Sequence, residues 1–316
     1  MAIFIGNTDP RWYRFLSQRN ETVEVNFWRP SGRPKTFRAI APGEFFFFRL
    51  GRPIRKIVGF GTFTYYSVYP LLTAWETFGQ ANGCGTINDL ISLIAEHREE
   101  APDTRAALAW NIGCTILTDV HYYPESEWLD FYMPPGPVAG KSLDERSEEG
   151  TRVWRHMEAY FEKQHRVAEV VPLGQKPFSL VEGAGVYRTV PVKERRGQGG
   201  FRVMVLDAYH RRCCVTGERT LPVIEAAHIQ TYISPQSNHV QNGLAFREDV
   251  HTLFDEGYVA VDEGHRFVVS PRLREDFENG REYYKFHGAS ILLPDHPQMA
   301  PSKDAIRWHL EYRFMG

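Results

Sequence analysis

Residues 225–257 read EAAHIQTYISPQSNHVQNGLAFREDVHTLFDEG: three histidines, two asparagines and a knot of carboxylates between two apolar runs. LPVIEAAHI, which leads into this stretch, has the apolar and β-branched makeup of a strand, QTYISPQSNHVQ is a polar loop, and NGLAFR is a second short strand. EDVHTLFDEG carries helical spacing and stops at Gly257, the residue type that most readily ends a helix. The order is strand, loop, strand, helix. His228, Asn242 and His251 are spread over it with thirteen and then eight residues between them. Any one histidine is more often a surface or core residue than a catalyst, and His239, His265, His287 and His309 read that way.

The joint pattern is more specific. With CCVTG just upstream, AAHI on the first strand, NGL opening the second and HTLFDEG on the helix, the stretch resembles the HNH nuclease family, whose site is a ββ-metal hairpin followed by a helix. RRGQGGFRVMVLDAY, RLREDFENGREYY and KDAIRWH extend the likeness over roughly residues 195–314, and look like the module found in bacterial restriction endonucleases. The resemblance implies a catalytic set of His228 as general base, Asn242 holding hairpin and base in orientation, and His251 as a metal ligand on the helix. It also implies Mg²⁺, Mn²⁺ or another divalent cation.

The chemistry suits these residue types. A neutral imidazole takes a proton from water near neutral pH, since its unperturbed pKa is about 6.5. A divalent cation supplies charge stabilisation worth several kcal/mol. Asp255 lies four residues after His251 on the same helical face, within reach of the same ion. Two departures from the family stand out. Many members carry a metal-binding Asp or His directly before the base, where this chain has Ala227. Glu225, on the same strand face as Ala227, is the candidate metal ligand in its place, with substrate phosphate and water as the other possibility. Cys213 and Cys214 are adjacent and no second pair follows, so a structural zinc is not expected.

Outward from this segment, 316 residues are enough for two domains. The opening MAIFIGNTDPRWYRF has a short apolar run and then charges, and no apolar run reaches the ~20 residues that span a bilayer. Four cysteines make no disulfide framework. A protein of the bacterial cytoplasm, without signal peptide or membrane partner, is expected. Net charge is only −2, yet basic residues dominate between Arg11 and Lys56 while residues 96–149 lean acidic. That asymmetry suits one basic face turned to a polyanion.

The amino-terminal part reads as β-rich: ETVEVNFW, TFRAIA, EFFFFRL and KIVGFGTFTYY are separated by Gly and Pro signals. TINDLISLIAEHREE opens a helix with a Thr-x-x-Asp cap, NIGCTILTDVHYY is another strand, and LDERSEEGTRVWRHMEAYFEKQH an amphipathic helix after a turn. GEFFFFRL…KIVGFGTF with AWETFGQANG resembles the PUA-like superfamily and, within it, EVE-type domains that precede HNH modules. The fold class expected is therefore α+β: a PUA-like β-barrel with helices over 1–171, a Gly/Pro-rich linker over 172–199, and a ββα-metal HNH domain over 200–316.

Domains of that superfamily hold an extruded base between aromatic walls, which implies recognition of a modified cytosine in double-stranded DNA. Trp28, Trp12, Phe63, Tyr65 and Trp75 are the candidate walls, together with Tyr13 and Tyr66. Each could equally be a core aromatic. Arg29, Arg33, Lys35, Arg195 and Arg196 are candidate phosphate contacts. The function expected is a modification-dependent restriction endonuclease that cuts as a homodimer or by transient pairing on DNA. An HNH nuclease reading unmodified sequence or shape, and an inactive nucleic-acid-binding protein, remain as alternatives.

Overall fold

The computed structural model describes residues 2–19, 23–32, 37, 39–101, 104–134, 140–163, 177–181, 198–233 and 235–316. The chain divides into two compact units, Met1–Leu173 and Gly174–Gly316.

The first unit contains, in order, β1 (Ala2–Thr8), α1 (Pro10–Ser17), β2 (Glu24–Arg29), β3 (Phe45–Leu50), β4 (Lys56–Pro70), α2 (Leu71–Phe78), α3 (Ile87–Arg98), α4 (Thr104–Ala107), β5 (Asn111–Tyr122), β6 (Leu129–Asp130), β7 (Gly140–Asp144) and α5 (Glu148–Lys163). Local chemistry sets the helix starts. Asp9 accepts from the Arg11 backbone N–H at 2.7 Å with Pro10 in the first turn of α1. The expected cap of α3 is a reciprocal box, Asp89 N–H to the Thr86 hydroxyl and Thr86 N–H to the Asp89 carboxylate.

The strands form one mixed sheet in the order β2-β5-β4-β3-β1-β7, with β6 paired to β4. β1 runs parallel to β3, Ile3 opposite Phe45 through Thr8 opposite Leu50. The other pairs are antiparallel.

This corrects the expected barrel: among the described residues no sheet closes, and β2 and β7 end the path without pairing to each other. The physical reason is visible in β3, whose six residues are all buried. Phe45 and Phe47 belong to a core with Ile3, Ile5, Val153 and Met157, under α5. Phe46 and Phe48 face the other way, with Phe27 4.7 Å from Phe46 and Trp12 of α1 5.2 Å from Phe48. Both faces are covered, so the sheet buries its apolar surface without curling shut. TFRAIA falls partly outside the described residues. β1 and β7, absent from the strand expectations, supply two of the rungs.

The second unit contains α6 (Gln198–Ala208), β8 (Ile224–His228), β9 (Gly243–Arg247), α7 (Glu248–Asp255), β10 (Val259–Val261), β11 (Phe267–Val269), α8 (Arg272–Phe277), α9 (Arg281–Tyr284) and α10 (Lys303–Tyr312). The β8–β9 hairpin is antiparallel, from Ile224 opposite Arg247 to His228 opposite Gly243. α7 follows β9 without a break and ends before Gly257, which adopts a left-handed φ of 82°. Gly243 is required for a different reason. A Cβ there would lie 2.2 Å from Val205 Cγ2 and 3.1 Å from the Phe201 ring, so the glycine lets α6 press onto the hairpin. Phe178, placed in the linker by its Gly/Pro-rich surroundings, is buried in the core of this unit, and its N–H donates to Gln241 Oε1 at 2.7 Å. No helix among the described residues is long and apolar enough to cross a membrane.

Candidate active site

His228 is the last residue of β8, where the strand leaves the hairpin for the polar loop. Its ring stacks on Phe201 of α6, centroids 3.8 Å apart and planes 8° from parallel, while Tyr232 meets it edge-on at 5.9 Å. Nε2 lies 2.9 Å from Asn238 Oδ1. Phe201 and Asn238 were not among the residues expected at the site. Asn238 carried only the signal of lying in a loop rich in turn residues, and Phe201 only that of an apolar helix position.

Asn242 is wholly buried, and the hydrogen bonds of its amide close the loop. Nδ2 donates to the carbonyls of Gln230 and Ser237, both at 3.0 Å, and Oδ1 accepts from the Gln230 N–H at 2.8 Å. The Ile229 N–H adds a bond to the Asn242 carbonyl at 2.8 Å. The two ends of the eleven-residue excursion between Gln230 and Asn242 are thereby stapled, which fixes the exit of β8 and with it His228.

On α7, His251 sits between two carboxylates. Nδ1 is 2.6 Å from Glu225 Oε2 on β8, and Nε2 is 3.5 Å from Asp255 Oδ2 one turn further along the helix. The hydrogen bond from His251 holds the Glu225 carboxyl below the usual carboxylate range, against its partial burial. Ala227 is fully buried and leaves only a methyl group in the core.

Among the described residues no three His, Cys, Asp or Glu side chains form a group able to hold one metal ion. A smaller donor set fits a hard cation. An imidazole nitrogen and a carboxylate oxygen 3.5 Å apart can share an ion at about 2.1 Å from each, leaving its other positions to phosphate oxygens and water.

In the first unit the expected base-pocket aromatics are largely structural. Trp12, Trp28 and Phe63 are buried. The Trp12 Nε1–H donates to Asn26 O at 3.1 Å and that of Trp28 to Asn82 O at 2.9 Å. Tyr65 and Trp75 are half-buried on β4 and α2. Arg29 is folded over the Phe37 ring at 4.8 Å, with burial pushing its pKa down. Arg33, Lys35, Arg195 and Arg196 lie outside the described residues.

An aromatic cavity does exist elsewhere in this unit, of about 760 Å³, lined by Tyr13, Arg14, Tyr122, Tyr123, Trp128 and Tyr160 among others. Of the expected aromatics only Tyr13 reaches it; its ring meets Tyr122 at 5.6 Å and Trp128 at 6.1 Å. The Tyr122 hydroxyl is buried and finds no partner among the described residues.

Residues 213–262, from the Cys213 turn through β10, match the HNH endonuclease family. The match gives the second unit an HNH-like segment, which supports a nuclease activity. Among solved structures, a modification-dependent TagI restriction endonuclease is 20% identical, with 37% of this chain and 38% of that one covered and a TM-score of 0.26. An ASCH structure from Zymomonas mobilis is 13% identical, with 50% of this chain and 94% of that one covered and a TM-score of 0.32. The chain thus spans well under half of the first of these. No curated protein matches.

Proposed function

We propose that the protein is a divalent-cation-dependent endonuclease of double-stranded DNA, in which His228 is the general base and the first unit admits a modified cytosine, 5-methyl or 5-hydroxymethyl, extruded from the duplex. The observation that carries the reading is His228 clamped between Phe201 and Asn238 on a hairpin whose next helix presents His251 and Asp255.

His228 takes the proton from the attacking water. Asn242 keeps the loop closed so that the base does not wander. His251 and Asp255 would hold the cation, which when bound supplies charge stabilisation to the phosphate. In the first unit, a base out of its stack meets Tyr13, Tyr122 and Trp128, and stacking on aromatic walls contributes about 1–3 kcal/mol per base. Arg14 lines the same cavity and offers a cation to the phosphate backbone. One such centre cuts one strand, so duplex scission takes two copies.

The test is digestion of matched duplexes carrying C, 5-methyl-C, 5-hydroxymethyl-C or glucosylated C, with Mg²⁺ or chelator. Expected are cleavage of a methylated or hydroxymethylated duplex, none with chelator, and none by His228→Ala. Equal cutting of modified and unmodified duplexes overturns the modified-base assignment. Undiminished cutting by His228→Ala overturns the base assignment.

A further inference from the structure

The geometry points to Asn238 as the residue that fixes the tautomer of His228, so that Nε2 carries the proton and Nδ1 is the nitrogen that accepts from water. The inference rests on His228 being the base.

Asn238 Oδ1 lies 2.9 Å from His228 Nε2, and Asn238 is 5% exposed. An amide oxygen has no hydrogen to give, so in this pair Nε2 must donate. A neutral imidazole carries one N–H, and placing it on Nε2 leaves the lone pair on Nδ1. The Phe201 stack alone does not make this choice. A face-to-face contact at 3.8 Å and 8° fixes the ring plane, but a half turn about Cβ–Cγ keeps the plane and puts Cε1 where Nε2 was and Cδ2 where Nδ1 was. Phe201 therefore sets the plane, and Asn238 selects which of the two orientations occupies it.

Asn238 is itself held by the loop staple. Asn242 Nδ2 bonds the carbonyl of Ser237, the residue before it, and Ser237 Oγ accepts from the Ile233 N–H at 3.0 Å. The chain of positioning runs from Asn242 through Ser237 to Asn238 and then to His228. A neutral amide also suits a base. It accepts from Nε2–H before and after proton uptake, so the ring does not reorient during turnover. A carboxylate there would stabilise the imidazolium and make it slower to give its proton back near neutral pH. Asn238 acts through His228, so it is a positioning residue.

The test uses the full chain and three forms: wild type, Asn238→Leu, which removes the acceptor at similar size, and Asn238→Asp, which keeps it and adds charge. The readouts are the imidazole ¹⁵N shifts of His228, which report the tautomer without turnover, and the pH profile of single-turnover nicking. Wild type should show protonated Nε2. Asn238→Leu should show a mixture of tautomers and nick about 10²-fold more slowly, with KM for DNA unchanged. Asn238→Asp should keep Nε2 protonated and move the acidic limb of the profile to higher pH. A wild-type ring protonated at Nδ1 overturns the inference. So does Asn238→Leu with wild-type tautomer and rate. If Asn238→Leu fails to fold, the wild-type tautomer and the Asn238→Asp profile still decide. The tautomer measurement also separates this inference from the base assignment, which His228→Ala tests.

Discussion

Glu225 shows how much a single bond constrains a role. It was a candidate metal ligand because strand alternation puts it on the face of Ala227, and that much follows from the sequence. Its bond to His251 Nδ1, at 2.6 Å, does not, because it depends on how far α7 turns after Arg247. A ring nitrogen that donates to Glu225 leaves Nε2 to meet an ion on the Asp255 side. In the proposed site Glu225 would be the carboxylate that orients a ligand, while Asp255 would share the ion directly. Two substitutions separate the roles in a Mn²⁺ titration followed by calorimetry. Glu225→Gln should weaken Mn²⁺ binding about 10–100-fold, and Asp255→Asn should weaken it at least as much. Binding by Glu225→Gln at wild-type affinity would reject the orienting role. The i,i+4 pair of His251 and Asp255 was legible because helical period alone places it. Asn238 was not, because a loop position acquires meaning only when the loop is closed.

At the scale of elements, α7 is only eight residues long and owes its position to packing. Phe254 contacts Phe246 of β9 at 5.1 Å and stacks on His309 of α10 at 3.7 Å and 9°. His309 Nε2 donates to the Phe254 carbonyl at 3.1 Å. Burial brings the His309 pKa down to about 4, an effect that the bond to Phe254 opposes and the Arg313 charge reinforces. The sign of the consequence is fixed. Unfolding returns the ring to water, where it protonates near pH 6.5, so between pH 6.5 and 4 the unfolded chain binds a proton that the folded chain refuses. Stability is full above that window, falls as pH drops through it and levels off below it. Between pH 7 and 5 the loss should be about 2 kcal/mol. Hydrogen exchange of the α7 and α10 amides should show this slope, and His309→Phe, which keeps the stack and removes the titration, should flatten it. A slope unchanged by His309→Phe would assign the pH dependence elsewhere. The hairpin strands and α7 were readable from the apolar and β-branched makeup of LPVIEAAHI, from the helical spacing of EDVHTLFDEG and from Gly257, all local signals. The open sheet of the first unit was not, since the pairing of β1 with β3 joins segments about forty residues apart and leaves no mark in either.

At the scale of the molecule, the proposed division of cutting and recognition between the two units predicts that they fail separately, and Tyr122 offers the cleanest way to see it. Its hydroxyl is buried, without a partner among the described residues, on the wall of the cavity in the first unit, and burial pushes its pKa up. A buried hydroxyl left unsatisfied costs about 1–3 kcal/mol. In the proposed reading, a ligand whose polar edge displaces the groups covering the hydroxyl recovers that cost. Tyr122→Phe keeps the ring and removes the liability, so the ligand-free protein should melt at a higher temperature than wild type. The same variant should bind a 5-methyl-C or 5-hydroxymethyl-C duplex more weakly, by roughly 5–10-fold for one lost hydrogen bond. It should nick bound DNA at the wild-type rate, because His228 and its supports belong to the other unit. Higher melting temperature, weaker binding and unchanged single-turnover rate together identify the cavity as the place where the base is read. Wild-type affinity for modified DNA in Tyr122→Phe would remove the hydroxyl from recognition, and if Trp128→Ala also kept it, recognition would have to lie outside the cavity altogether.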